Sequence, residues 1–90
     1  MSTTHTAWAT TKQSMPGADP GIGITATRTS DIDEDTAYRE ELGLVQDSVT
    51  DWDDWDADAA DDELARMGWT RTGDWTNSGC QMAAAVEPAK

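Results

Sequence analysis

The spacing of apolar and polar residues along this 90-residue chain changes several times, and each change predicts an element. From Gly21 to Thr29 the pattern alternates. Ile22, Ile24, Ala26 and Arg28 share one face and Gly23, Thr25, Thr27 and Thr29 the other, which predicts a strand at about 22–29. Tyr38, Leu42 and Val45 then fall at helical spacing, with Asp35 as a cap and Gly43 as a stop, predicting a short helix at about 36–42. Leu44 to Val49 reads as extended. The strongest helical signal covers about 55–67, where Ala57, Ala60, Leu64 and Met67 form a narrow apolar stripe ended by Gly68. Asp56, Asp58, Asp61 and Asp62 sit early in that helix and Arg66 late, as the helix dipole favours. Trp52 and Trp55 lie off the stripe, either folded back on the core or exposed.

The C-terminal stretch alternates again. Trp69, Arg71, Gly73 and Trp75 are set against Thr70, Thr72, Asp74 and Thr76, and after Asn77-Ser78-Gly79 the residues Cys80, Met82, Ala84 and Val86 form a second apolar row. This predicts a hairpin of about 69–76 with 80–87, with Trp75 opposite Cys80 and Trp69 opposite Val86. A slip of one residue would set the tryptophans against Gln81 and Glu87. The fold class is therefore α+β. A hairpin and a strand at 22–29 pack against the 55–67 helix in one small domain over 21–88. Residues 1–20, rich in Thr and Ser and broken by Pro16, Gly17 and Pro20, read as a flexible arm with Trp8 its single large apolar group.

Composition permits a small core. Apolar residues make up 37% of the chain, with five Trp and no Phe, and a single cysteine, Cys80, allows no internal disulfide. No run approaches the ~18 apolar residues of a membrane helix. These features predict a soluble protein of a reducing cytoplasm, or of a virion assembled there. Many Ala, Asp, Thr, Gly and Trp beside few Lys, Asn, Ile and Tyr suit a high-GC genome such as that of an actinobacterium or its phage.

Charge alters the picture most. The formal net charge is −12, and between Asp31 and Glu63 fifteen carboxylates face one cation, Arg39. The rest of the chain is slightly positive, so the charge belongs to one segment. Such a block chooses partners by charge sign and repels nucleic acid. Its dense part runs from Asp51 to Glu63, with eight acids in thirteen residues. Drawn as helix at ~1.5 Å per residue, that is one charge per ~2.4 Å, against about one per ~1.7 Å along duplex DNA.

Motif chemistry is sparse. Asp31, Asp33 and Asp35 match the first positions of a calcium loop, but Thr36 stands where the turn glycine belongs and Leu42 where the bidentate Glu belongs. A frame from Asp54 through Asp56 and Asp58 fails likewise at Ala59 and Ala65. His5 has no Cys or His cluster near it in sequence. Cys80, on the inward row of the hairpin, reads as a buried structural thiol. Gly21-Ile22-Gly23 lacks the third glycine and the lysine of a phosphate loop. No paired carboxylates are enclosed as acid–base chemistry requires.

These features predict a non-enzymatic binding protein with no cofactor and no metal. Its partner is a basic protein surface that normally binds nucleic acid. Asp51, Asp53, Asp54, Asp56, Asp58, Asp61, Asp62 and Glu63 would act as phosphate surrogates, and Trp52 and Trp55 as anchors. In size and composition the chain resembles DNA-mimic inhibitors and many anti-CRISPR proteins. The alternative is a phage virion accessory whose N-terminal arm orders on a neighbouring subunit.

Overall fold

The computed structural model describes residues 2–15, 17, 19–31 and 37–89. Its elements are strands β1 (Ser2–Thr10), β2 (Gly21–Asp31) and β3 (Ala37–Val49), helix α1 (Ala57–Met67), and strands β4 (Trp69–Arg71), β5 (Thr76–Ser78) and β6 (Gln81–Pro88). All strands join one antiparallel sheet in the order β3-β2-β1-β6-β4, with β5 pairing β6 near its start. Helix α1 packs on one face. The α+β class holds for a single small domain that is mostly sheet.

Register decides which side chains meet the helix. His5, Ala7 and Ala9 of β1 lie opposite Ala26, Ile24 and Ile22 of β2, and opposite Val86, Ala84 and Met82 of β6. Ala60 and Leu64 of α1 close over this row, and Ile22, Ile24 and Leu64 are its largest fully buried side chains. Burying each is worth about 1.5–3 kcal/mol. The alanines are small, so sheet and helix approach closely, and Trp52, Trp55, Met67, Trp75 and Met82 wall the cluster at its edges.

The helix follows its sequence signals. Asp56 is the N-cap, its Oδ1 accepting from the backbone N–H groups of Asp58 at 3.0 Å and Ala59 at 3.3 Å. Gly68 ends it at φ 92°, a left-handed conformation that costs a glycine little. Of the predicted stripe, Ala60 and Leu64 are buried, Met67 is half-buried and Ala57 is exposed.

Two expectations about the first half of the chain give way. Residues 2–10, read as part of an arm, form β1, the central strand. Its threonines suit a pleated surface, while Ala7 and Ala9 bury completely yet supply too little apolar bulk to announce an inward face. The predicted helix at 36–42 is strand from Ala37 onward. Register shifts between Ile24/Thr25 and Ala26/Thr27 insert Val45 and Leu42 as extra residues in β3. The insertions stretch same-face spacing from two to three, so Glu41, Leu44 and Asp47 share a face and the period imitates a helix. Gly43 adopts φ 89° between the two bulges. Asp35 and Thr36, the predicted cap and helix start, lie outside the described residues.

The C-terminal hairpin forms, but with a different register and a broken first strand. Ser78 pairs with Gln81, leaving Gly79-Cys80 as the turn, and Trp69 pairs with Pro88. Relative to the predicted pairing the shift is two residues at Trp69 and four at Thr76, both even numbers, so each row keeps its face. Between β4 and β5 the N–H groups of Thr72 and Gly73 both donate to the Ala85 carbonyl. Cys80 is exposed, a correction to the buried thiol. Gly79 at φ 66° takes the first turn position, as primed hairpin turns require, and that draws its neighbour Cys80 out of the strand.

Candidate functional site

The acidic stretch divides into two parts of different backbone. Residues 51–56 are irregular and precede α1, so the single charged rod imagined for 51–63 does not form. The irregular part is held by the turn after β1. Lys12 and Gln13 donate backbone N–H groups to the carbonyls of Trp52 at 3.0 Å and Asp53 at 3.2 Å. Lys12 Nζ lies 2.9 Å from Asp51 and 3.3 Å from Asp53. The hydrogen bond Lys12 donates to Asp51, then the one it donates to Asp53, raises the lysine pKa. Trp52 and Trp55 are half-buried against the core, which places them as structural walls more than as free anchors.

On the helix, Asp61 has the densest set of partners. Arg71 of β4 grips it with two bonds, Nε to Oδ1 at 2.9 Å and Nη2 to Oδ2 at 3.1 Å, while Trp75 Nε1 donates to Oδ1 at 3.0 Å. Arg71 also donates to the Gly73 carbonyl at 2.7 Å, and its guanidinium carbon stands 6.0 Å from the Trp75 ring centre. Trp75 meets Trp55 edge-on at 5.1 Å. The Arg71 hydrogen bonds hold the Asp61 carboxyl below its ordinary pKa, helped by Trp75 and opposed by desolvation. This bidentate, aromatic-backed pair ties α1 to the interrupted strand, so Asp61 is committed within the fold.

The other acids sort by exposure. Glu63 approaches Arg66 at 3.5 Å and its side chain is mostly covered. Asp56 caps the helix. Asp54, Asp58 and Asp62 are exposed, and none is within 4.0 Å of a cation among the described residues. Of the ten residues singled out in 51–63, these three carboxylates are exposed with no described cation beside them, although Asp54 Oδ1 accepts the Trp55 N–H at 2.7 Å and Asp58 lies in the first turn of α1. Asp51 and Asp53 are exposed as well but share Lys12.

His5 meets Trp69 in a tilted contact, ring centres 4.9 Å apart and planes at 54°, inside the helix-covered face. Among the described residues no group of three or more His, Cys, Asp or Glu converges as a metal site. For the calcium frame from Asp31, Asp33 and Asp35 lie outside the described residues. In the frame from Asp54, Asp56 Oδ1 is occupied by helix N–H groups. The glycine pair Gly21 and Gly23 belongs to β2, and a Cβ at Gly21 would collide with the Ser48 carbonyl of β3. Its role is close strand packing.

No protein-family model matches this chain, and no curated protein or solved structure shows significant similarity to it. No described helix is long and apolar enough to cross a membrane.

Sequence reading missed the partners of the acids: Arg71 for Asp61 and Lys12 for Asp51 and Asp53. The pairs span 10 to 41 positions, and no periodic signal links residues across such distances. It also missed Trp8 and Thr10 as members of an uncovered sheet face, beside the Gly23/Thr25/Thr27 row it did assign to β2, because residues 1–20 read as an arm.

Proposed function

We propose that this protein is a non-enzymatic acidic binding protein that occupies a basic, nucleic-acid-binding surface of a partner in place of nucleic acid. One observation carries the reading. Lys12, Arg28, Arg66 and Arg71 each already lie within 4.0 Å of a carboxylate, so the surplus negative charge is left facing outward. Asp54, just before α1, and Asp58 and Asp62, on the exposed side of α1, are its most accessible part in the dense segment. The virion-accessory alternative needs a free arm. Ser2–Thr10 instead pairs with β2 and β6 of its own chain, and no observation favours that reading.

The test is capture of soluble proteins on the immobilised chain at low and moderate ionic strength. Basic nucleic-acid-binding proteins should be retained at low salt and released both by added salt and by duplex DNA. The triple variant Asp54→Lys, Asp58→Lys, Asp62→Lys should lose them while keeping its circular dichroism spectrum. Capture that ignores salt, or that survives the triple reversal, sinks the proposal.

A further inference from the structure

The sheet has two faces, and among the described residues only one is covered. Opposite α1, among the described residues, β1 presents Thr4, Thr6, Trp8 and Thr10, β2 presents Gly23, Thr25 and Thr27, and β3 presents Glu41, Leu44, Asp47 and Val49. Gly21 and Gly23 put no side chains here, so a hollow of about 560 Å³ opens above them. Trp8 stands on one side, its Nε1 tied to Thr25 Oγ1 at 2.9 Å, with Leu44 and Val49 on the other. A Cβ on Gly23 would meet Leu44 Cδ1 at 3.3 Å, so the leucine leans over the glycine floor. Leu44 and Val49 are nonetheless 63% and 68% exposed, among the largest apolar exposures on the molecule. Asp19, Glu41 and Asp47 also line it, with the polar Ser48 and Gln81, and no described cation does.

Aromatic and aliphatic walls with carboxylates and no counter-charge form a complementary setting for a cation on an apolar stem. The ring face of Trp attracts such a cation, and the carboxylates match a guanidinium fork. The volume falls within the ~300–1,000 Å³ range of ligand-sized pockets. A second copy of this chain is a poor occupant. Face-to-face pairing would set Asp19, Glu41 and Asp47 against their own equivalents on two chains of net charge −12. We propose that the uncovered sheet face is a docking surface for an arginine-bearing extended segment of a partner protein, with an arginine side chain seated beside Trp8 among Asp19, Glu41 and Asp47. This surface is separate from Asp54, Asp58 and Asp62, and it stands or falls independently of them.

The experiment is titration of the full, ¹⁵N-labelled chain with the blocked peptide Arg-Val-Arg-Val-Arg, followed by amide and indole chemical shifts. Saturable shifts are expected at the Trp8 indole and at the amides of Gly21, Gly23, Leu44 and Asp47. The combined variant Asp19→Asn, Glu41→Gln, Asp47→Asn should weaken binding by at least about tenfold, and Asp54→Asn, Asp58→Asn, Asp62→Asn should leave it within about twofold. Gly23→Val, which fills the floor with a strand-compatible side chain, provides a second route and should also abolish the shifts. Four results overturn the proposal: an equal response to Glu-Val-Glu-Val-Glu, shifts confined to residues 54–62, no saturable shift, or full affinity in the sheet-face triple variant. Shifts confined to 54–62 would at the same time support the helix-acid reading, so the two proposals fail separately.

Discussion

The two faces of the sheet use carboxylates in opposite ways. On the helix side, Asp61 is held by Arg71 and Trp75, Glu40 by Arg28, and Glu63 by Arg66 along α1. On the open side, Asp19, Glu41 and Asp47 border a hollow with no described cation in its lining. A carboxylate under or beside the helix replaces lost hydration with a fixed partner, while one on the open face stays hydrated and needs none. Net charge therefore does not measure the binding surface. What counts is the charge left after the fold has satisfied its own polar groups.

The largest expected difference concerns apolar packing. Leu64 is 1% exposed in the core, and Leu64→Ala should cost about 2–5 kcal/mol, enough to unfold much of so small a domain. Leu44→Ala on the open face should change stability by less than ~0.5 kcal/mol. Urea denaturation of both variants checks the pair, and equal losses would mean the open face is packed after all. Next in size is Asp61→Asn, which keeps shape but weakens the grip of Arg71, at about 1–2 kcal/mol near neutral pH after allowing for partial exposure. The sign with pH follows from the direction of its shift. The folded-state pKa lies below the ordinary 3.8, so Asp61 stabilises the fold above that value. The contribution fades as pH falls through the folded pKa. The gap between wild type and Asp61→Asn should accordingly be constant above 3.8 and close in more acid solution. A gap that widened with acid would remove Asp61 from its structural role.

Much of the helix side was legible in the sequence, and little of the open side. The α1 stripe and its glycine stop are local signals, and Gly68 acts as such a signal usually does, whereas Asp56, read only as an early acid of the helix, is its N-cap. The alternation of β2 and β6 was equally plain. Strand β1 was hidden because threonine and alanine carry weak contrast, and its burial depends on neighbours far along the chain. The end of β3, Leu44 to Val49, was read as extended, but its first part was misread as helix because the bulge residues Leu42 and Val45 stand three apart. The acidic candidates were found as a run, but which of them remain available depends on Lys12 and Arg71, and those pairings exist only once the sheet is assembled. The hollow could not be anticipated without knowing that Gly21 and Gly23 lie beside Trp8.

Smaller effects sharpen the contrast. Ser48 and Thr50, near the junction of β3 with the acidic stretch, bury hydroxyl oxygens that find no hydrogen-bond partner. Ser48→Ala removes such a group and should stabilise the chain by roughly 0.5–1 kcal/mol, seen as a higher denaturation midpoint at unchanged slope. A lower midpoint would show that the hydroxyl is satisfied in solution.

The smallest expected effect is the most informative about function. The combined substitution Asp19→Asn, Glu41→Gln, Asp47→Asn removes three negative charges from a chain already at −12. None of the three carboxylates is engaged with a described cation, so stability should stay within ~0.5 kcal/mol, with any shift toward greater stability as self-repulsion falls. The same three changes are expected to weaken arginine-peptide binding at least about tenfold. A group that matters to a ligand but not to the fold is what separates a binding carboxylate from a structural one such as Asp61. Thermal unfolding at low and moderate salt measures the stability half of that statement. A loss comparable to that of Asp61→Asn would place these carboxylates in the framework of the sheet and erase the distinction between its two faces.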